Sequence, residues 1–258
     1  MINSIIKAST ILDAFTASRP RLSLAQMADA TGYPKTTLYT LAATLVHVGL
    51  LERAGDSYVL GKRVVSLSQA VRVNVEIRDR AAPILRELAD DTRESVYLTV
   101  PDGTWVLYLY AIESSHRLAA RSAIGERAHF HCTAVGKAML AFMSEDERGR
   151  ITAVHGLPAV TPSTITSSGA LEAELASIRQ CGFSTDNAEH EPDIYCIGAP
   201  ILDHSGEVIG AASVSGNSER LITERLDATA SRVLDAADRI SRRMGYVPSR
   251  PGRVRTRV

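Results

Sequence analysis

One predicted helix carries a row of polar side chains that could bind a polyanion. Within residues 35–48 the apolar residues Leu38, Leu41 and Leu45 share one helical face, and Gly49 ends the helix. Hydroxyl and ammonium groups donate hydrogen bonds to phosphate oxygens and base edges. The outer face therefore favours nucleic-acid binding, with a merely solvated surface helix as the alternative. Its candidate contact residues are short hydroxyls, one cation and one aromatic ring, namely Lys35, Thr36, Thr37, Tyr39 and Thr40.

A second set of side chains could bind zinc or supply a nucleophile. It consists of His131, Cys132, His190 and Cys196. Zinc sites commonly use short paired spacings, and the chain has neither Cys-x-x-Cys nor His-x-x-x-His. Cys196 and His190 could act as nucleophile and base, but no strained nucleophile turn, Gly-rich phosphate loop or third orienting group accompanies them. We therefore expect no metal, cofactor or catalysis. The alternative is a small-molecule-binding or hydrolytic protein that uses Cys196 and His190 and whose N-terminal domain is a protein-interaction module.

The polar helix belongs to a predicted winged helix-turn-helix at residues 1–61. A capping box begins at Ser23, and Gly32 ends the second helix before a tight turn. Residues 51–60 have the pattern of a hairpin. Such a turn sets the third helix across the second, so that its outer face can enter a major groove. Arg53 on the hairpin is placed to reach a neighbouring phosphate.

The rest of the chain alternates predicted strands and helices. Residues 62–76 have the stripe of a linker helix, and residues 77–246 contain strands that pair as hairpins. Antiparallel strands with helices grouped around them predict an α+β sandwich, with residues 77–246 as one domain. Residues 247–258 are expected to form a basic, disordered tail, because they carry four arginines and no acidic residue.

Composition excludes several classes of protein. The 258 residues are 45% hydrophobic and 22% charged, which suits folded domains and argues against global disorder. No apolar run approaches the roughly 20 residues of a membrane span, and no signal peptide is evident. Three cysteines do not form a disulfide framework. These features favour a soluble cytoplasmic protein without a membrane partner.

Five ordered motifs resemble the IclR family of bacterial transcriptional regulators over nearly the whole chain. They are residues 23–39 (SLAQMADATGYPKTTLY), 58–61 (YVLG), 131–138 (HCTAVGKA), 186–201 (DNAEHEPDIYCIGAPI) and 210–216 (GAASVSG). Several motifs in order are far more specific than one short pattern.

The resemblance implies a DNA-binding winged domain, a linker helix and a GAF-like effector domain. It also implies homodimers or homotetramers that bind double-stranded operator DNA and respond to a small organic acid. The family's effector positions correspond directly to four polar side chains here and by position to two residues whose backbone amides would serve. These are Asp186, Cys196, Ser213 and Ser215, and then Ala134 and Val135.

The same positions suit a carboxylic acid on physical grounds. Thr133 can cap a helix whose first N–H groups and dipole favour a carboxylate. Ser213 and Ser215 lie two apart on a predicted strand, so their hydroxyls face one side. Cys196 is a weak donor, and an ionised Asp186 would only accept hydrogen bonds. The alternative is that the serines are small packing residues and Asp186 caps a loop.

Three further residues affect this interpretation. Arg117 is a candidate partner for an anionic effector, with a solvated strand edge as the alternative. Thr40 stands where the family often has arginine, which puts an inherited operator sequence in doubt. Asp193 replaces a glycine usual in the Glu-Pro-Gly turn, so this loop is expected to bend differently.

Overall fold

The structure is a computed structural model that describes residues 1–16, 19–69, 72–114 and 124–248. For residue 69 and residues 72–75 it describes the backbone alone. The predicted site residue Arg117 and residues 249–258 of the predicted tail lie outside the described residues. The chain divides into two compact units between Val75 and Glu76.

The first unit contains helices α1 to α4 and a three-stranded antiparallel sheet in the order β1-β3-β2. Its buried core includes Ile11, Met27, Leu38, Leu51 and Tyr58. The predicted helices and hairpin are present, and β1 is an addition, too short to give an alternation signal in the sequence. The elements are α1 (Asn3–Asp13), β1 (Arg21–Ser23), α2 (Leu24–Thr31), α3 (Lys35–His47), β2 (Leu51–Ala54), β3 (Ser57–Leu60) and α4 (Arg63–Gln69).

The turn between α2 and α3 forms for local reasons. Ser23 Oγ accepts a hydrogen bond from Gln26 N at 3.3 Å, and Gln26 Oε1 accepts one from Ser23 N at 2.8 Å. This confirms the predicted capping box. Gly32 has φ 70°, the left-handed conformation that ends α2 and that glycine adopts without strain. Pro34 precedes the first turn of α3.

The second unit is a six-stranded antiparallel sheet in the order β6-β5-β4-β9-β8-β7, with helices on both faces. This confirms the predicted α+β class. The range predicted as a linker helix, 62–76, contains α4 and the start of α5. The elements are α5 (Arg72–Thr92), β4 (Ser95–Asp102), β5 (Trp105–Ile112), β6 (Arg127–Ala128), α6 (Ala134–Phe142), α7 (Glu145–His155), α8 (Ser168–Cys181), β7 (Ser184–Asn187), β8 (Tyr195–Leu202), β9 (Val208–Gly216), a short 3₁₀ helix (Glu219–Leu221) and α9 (Leu226–Arg243).

Two apolar layers hold the helices against the sheet. Ile84 of α5 and Val233 of α9 pack with Leu98 and Val214 on one face. Residues of α6 and α8, including Met139, form the core on the other face. Burial of each large apolar side chain contributes about 1.5–3 kcal/mol. The sheet therefore supports α6, including its N-terminus, through this apolar core.

Candidate functional site

The outer face of α3 is displayed to solvent. Lys35, Thr36 and Thr40 are exposed, and Tyr39 is 58% exposed, whereas Leu38 is fully buried beneath them. Thr37 is half-buried at the margin of this face. The helix is therefore anchored through its apolar stripe and presents the predicted polar set without unfolding. We call these five polar residues the α3 face.

The hairpin places Arg53 on the solvent side of β2. Its guanidinium carbon lies 5.9 Å from the ring centroid of Tyr58, whose side chain is buried in the core. Thr40 Oγ1 donates to the Thr36 carbonyl at 3.2 Å, so this hydroxyl is held against its own helix and keeps acceptor capacity. Threonine here supplies neither the reach nor the charge of the arginine common in the family.

Six predicted effector positions of the second unit line one cavity of about 100 Å³. They are Ala134, Val135, Asp186, Cys196, Ser213 and Ser215. The lining also contains Thr133, the predicted helix cap, and residues that the sequence did not single out for this site, namely Tyr97, Tyr108, Glu126, Arg127, His190, Glu191 and Ile194. The structure thus brings together positions that are up to 81 residues apart from the first to the last of the six.

Strand register explains why the polar side chains meet. Asp186 of β7 is opposite Cys196 of β8, which is opposite Ser215 of β9. Ser213 is opposite Tyr97 of β4. Because residues directly opposite in antiparallel strands point to the same face, these groups lie on one face of the sheet in two neighbouring rows. We call the row of Asp186, Cys196 and Ser215 the polar row. Cys196 Sγ donates to Ser215 Oγ at 3.3 Å within it.

The N-terminus of α6 forms another wall of the cavity. Thr133 Oγ1 accepts a hydrogen bond from Gly136 N at 3.1 Å, which confirms the predicted cap. The helix lies directly on β8, since a Cβ on Gly198 would stand 3.1 Å from the backbone nitrogen of Val135. First-turn N–H groups of a helix have no partner within it and favour an anion. Ala134 and Val135 lie in this turn.

Two tyrosines form the aromatic part of the lining. The rings of Tyr97 and Tyr108 meet edge to face, with centroids 5.5 Å apart. Tyr97 Oη donates to Glu113 at 3.0 Å. Burial, chiefly, raises the pKa of Tyr108 well above its usual value, so its hydroxyl stays protonated. Alternation on β4 and β5 predicts these rings as sheet residues, but a bulge between Leu98 and Thr99 sets their register.

A buried ion pair lies behind the polar row. Lys137 of α6 is 1% exposed, and its Nζ lies 2.5 Å from Glu189 Oε1 and 3.3 Å from Glu174 Oε1. Glu189 lies in the loop between β7 and β8, and Thr164 Oγ1 also donates a hydrogen bond to the Glu189 carbonyl oxygen at 2.7 Å. The pair therefore ties that loop to α6. No sequence signal pointed to it.

Asp193, in the same loop, has φ 60°. This is the left-handed region, which aspartate tolerates better than most residues other than glycine. Asp193 thus adopts a backbone conformation that glycine also adopts. Its φ angle gives no reason for the loop to bend differently from a glycine-containing turn.

The histidine and cysteine set does not form a metal centre in the part of the chain that the structure describes. His131 is buried, with Nε2 3.0 Å from the Pro158 carbonyl oxygen, and burial lowers its pKa. Cys132 Sγ lies 3.8 Å from His190 Nδ1. Burial raises the pKa of Cys132 to about 12, so that sulfur is a thiol and not a nucleophilic thiolate.

Within the described ranges, none of the helices combines the length and the apolar composition that a membrane span needs.

A winged helix-turn-helix unit and a separate α+β unit with a polar cavity together define a class, the DNA-binding transcriptional regulators with a sensory domain. The family model of the IclR helix-turn-helix domain matches residues 4–55. The model described as the bacterial transcriptional regulator IclR C-terminal domain matches residues 69–242. The chain belongs to the IclR family of bacterial transcriptional regulators, and the resemblance in its motifs is confirmed.

Individual relatives agree with this assignment. The chain is 30% identical over 244 residues to the HTH-type transcriptional regulator KipR of Bacillus subtilis, covering 94% of this chain and 97% of that protein. It is 30% identical to the crystal structure of the Thermotoga maritima IclR, with a TM-score of 0.77 and coverage of 95% and 100%. An IclR homolog from Microbacterium hydrocarbonoxydans, crystallised in complex with 4-hydroxybenzoate, shares the fold at 23% identity, a TM-score of 0.83 and coverage of 93% and 98%.

Proposed function

We propose that the α3 face enters the major groove of operator DNA and that Arg53 contacts the adjacent backbone. Support comes from the exposure of Lys35, Thr36, Tyr39 and Thr40 above the buried Leu38. Lys35 and Arg53 would contact phosphates, while the hydroxyls and Tyr39 would contact base edges or sugars. Phosphate contacts would make the affinity fall as salt rises.

We further propose that the cavity binds a small organic acid. The observation that carries this proposal is the convergence of the α6 N-terminus with Ser213 and Ser215 on one cavity. Backbone N–H groups and two hydroxyls can each donate to a carboxylate. A volume of about 100 Å³ suits a small acid with few non-hydrogen atoms. Asp186, Cys196, Ala134 and Val135 complete the proposed site, and Arg117 remains a candidate outside the described residues.

Differential scanning fluorimetry against a panel of small acids tests the effector site. The panel should include 4-hydroxybenzoate, because the Microbacterium homolog was crystallised with it. An acid that binds the folded protein raises its melting temperature with concentration, by several degrees at about 100 times Kd. Amide analogues of the same acids serve as controls. If no acid gives a saturable shift, the organic-acid assignment is wrong.

Replacing both Ser213 and Ser215 by alanine is expected to weaken acid binding about tenfold or more. Each lost hydrogen bond is worth about 0.5–1.5 kcal/mol. The variant should bind free operator DNA as well as the original chain does, because α3 is in the other unit. Ser218→Ala, at an exposed serine without a side-chain cap bond, is the matched control. Isothermal titration with the acid and a mobility-shift assay with DNA measure the two affinities. Equal loss of both would contradict the assignment of the serines to the effector site.

We infer that the protein acts as a homodimer or homotetramer in the cytoplasm. An HTH dimer reads half-sites about one helical turn, roughly 34 Å, apart. We also propose four functional segments: residues 1–61 for DNA, 62–76 as linker, 77–246 as effector domain and 247–258 as a basic tail. Multi-angle light scattering of the full chain tests the assembly, and a monomer that still binds operator would contradict it.

We infer that the protein is not an enzyme. His190 Nδ1 lies 3.8 Å from the sulfur of Cys132, which is protonated, and Cys196 Sγ donates to Ser215 Oγ. The alternative is a hydrolase that uses Cys196 and His190. A turnover assay with acid esters and amides separates the two, since hydrolysis abolished in Cys196→Ala would support the enzyme.

A further inference from the structure

Asp186 is a buried carboxyl group that faces the cavity. Its side chain is 2% exposed. One oxygen, Oδ1, accepts a hydrogen bond from Glu189 N at 2.7 Å. The group lines the cavity and is close enough to the buried Lys137–Glu189 pair to be affected by both of its charges.

The described charges near Asp186 are predominantly acidic. Lys137 contacts two carboxylates, Glu189 and Glu174. Glu189 Oε2 is buried and has no hydrogen-bond partner among the described residues, which adds unscreened negative potential. On the cavity side Arg127 lies 2.7 Å from Asp102, to which it is paired.

Other groups face Asp186 from each neighbouring element. Lys137 is the one fixed positive charge among them, and it is already paired with Glu189 and Glu174. The set comprises Glu189, His190 and Glu191 of the loop after β7, Lys137 of α6, Cys132 before α6, Tyr108 of β5, and Cys196 of β8.

The balance of these effects favours the neutral acid. Burial, first, and the charge of Glu189 raise the pKa of Asp186 to about 7. The backbone N–H groups of Glu189 and His190 and the ammonium of Lys137 act in the opposite direction. Asp186 has no cation paired with it alone, so the rise in its pKa caused by burial outweighs the lowering by two backbone donors.

We propose that Asp186 carries a proton in the effector-free protein and presents an O–H donor to the cavity, so that the site takes its acid as the carboxylate anion. This rests on the proposed effector function of the cavity. A protonated Asp186 adds a third kind of donor to the helix N–H groups and the serine hydroxyls. An ionised Asp186 would repel the same anion. An ionised Asp186 would only accept hydrogen bonds, whereas the protonated group also donates one.

Carboxyl ¹³C NMR on the full, effector-free chain tests the proposal directly. The protein is labelled at aspartate side-chain carboxyls, and the Asp186 signal is assigned by its loss in Asp186→Asn. Asparagine can still accept the Glu189 N–H bond, so this variant preserves the loop contact. We expect Asp186 to be more than half protonated at pH 6, with a midpoint of about 7. A signal already ionised at pH 6 would overturn the proposal.

Thermal melting across pH gives a second readout. A carboxyl whose folded-state pKa is raised stabilises the fold fully below its unfolded pKa, about 3.9, and this contribution disappears as pH rises through about 7. The original chain loses this contribution between pH 5 and pH 8, and Asp186→Asn has none to lose. The melting temperature of Asp186→Asn minus that of the original chain should therefore increase over this range. A difference that is constant over this range would count against the proposal. Neither measurement uses DNA or an acid, so failure of the proposed effector function would show separately in the fluorimetry panel.

Discussion

Replacing Lys137 by methionine is expected to lower the free energy of unfolding by about 3 to 5 kcal/mol. The substitution removes one partner of a buried ion pair and leaves Glu189, 5% exposed, without its cation. Breaking such a pair is costly because the remaining charge stays desolvated or must take a proton. Urea denaturation followed by circular dichroism measures the change.

The double variant Lys137→Met with Glu189→Leu is the control for this prediction. Replacing both partners by apolar groups of similar size is often nearly neutral. The double variant should therefore recover at least half of the stability lost in Lys137→Met. If the single variant costs less than about 1 kcal/mol, the pair does not hold the loop between β7 and β8 to α6.

Substituting alanine at Lys35, Tyr39 and Thr40 together is expected to weaken operator binding at least 100-fold. Each side chain lies on the α3 face and is exposed, so the fold should be retained. Each direct contact to DNA contributes about 1–3 kcal/mol, and every 1.4 kcal/mol changes affinity tenfold. Fluorescence anisotropy with a duplex from the gene's own upstream region measures the loss.

Two features of this experiment separate DNA contact from nonspecific charge loss. The slope of log affinity against log salt should fall by about one, because one phosphate contact, that of Lys35, is removed. Arg150→Ala, at an exposed cation of α7 in the other unit, should leave both the affinity and the slope unchanged. Binding within threefold of the original chain in the triple variant would contradict the assignment of the α3 face.

Local signals in the sequence predict most of the first unit. The capping box at Ser23, the left-handed Gly32 and the apolar stripe through Leu38 each act within a few residues. These features fix where α2 ends and which face of α3 is buried. The residues of the α3 face are those on the opposite side of the helix from the buried stripe. They can therefore be predicted without knowledge of tertiary contacts.

Long-range contacts determine what the sequence analysis missed. Strand β7 consists of four residues, Ser184–Asn187, without a run of apolar or β-branched residues, and it is a strand because it pairs with the edge of β8. Lys137 stands in an apolar helix, and its burial depends on Glu189, 52 residues away. The sequence around either residue does not indicate that the two are in contact. It likewise does not indicate that Tyr108 is close to Asp186. The positions of the cavity came from family motifs, whereas its charge balance required the structure.

Coupling between the cavity and the α3 face is most directly measured as the operator Kd with and without a saturating acid, using the acid that gives the largest shift in the fluorimetry panel. Thermodynamic coupling in such systems is about 5- to 150-fold. We expect the Kd of the original chain to change by at least fivefold, and that of the Ser213→Ala, Ser215→Ala variant at the same acid concentration to change much less. An operator Kd that is the same in the free and acid-saturated protein would contradict the account.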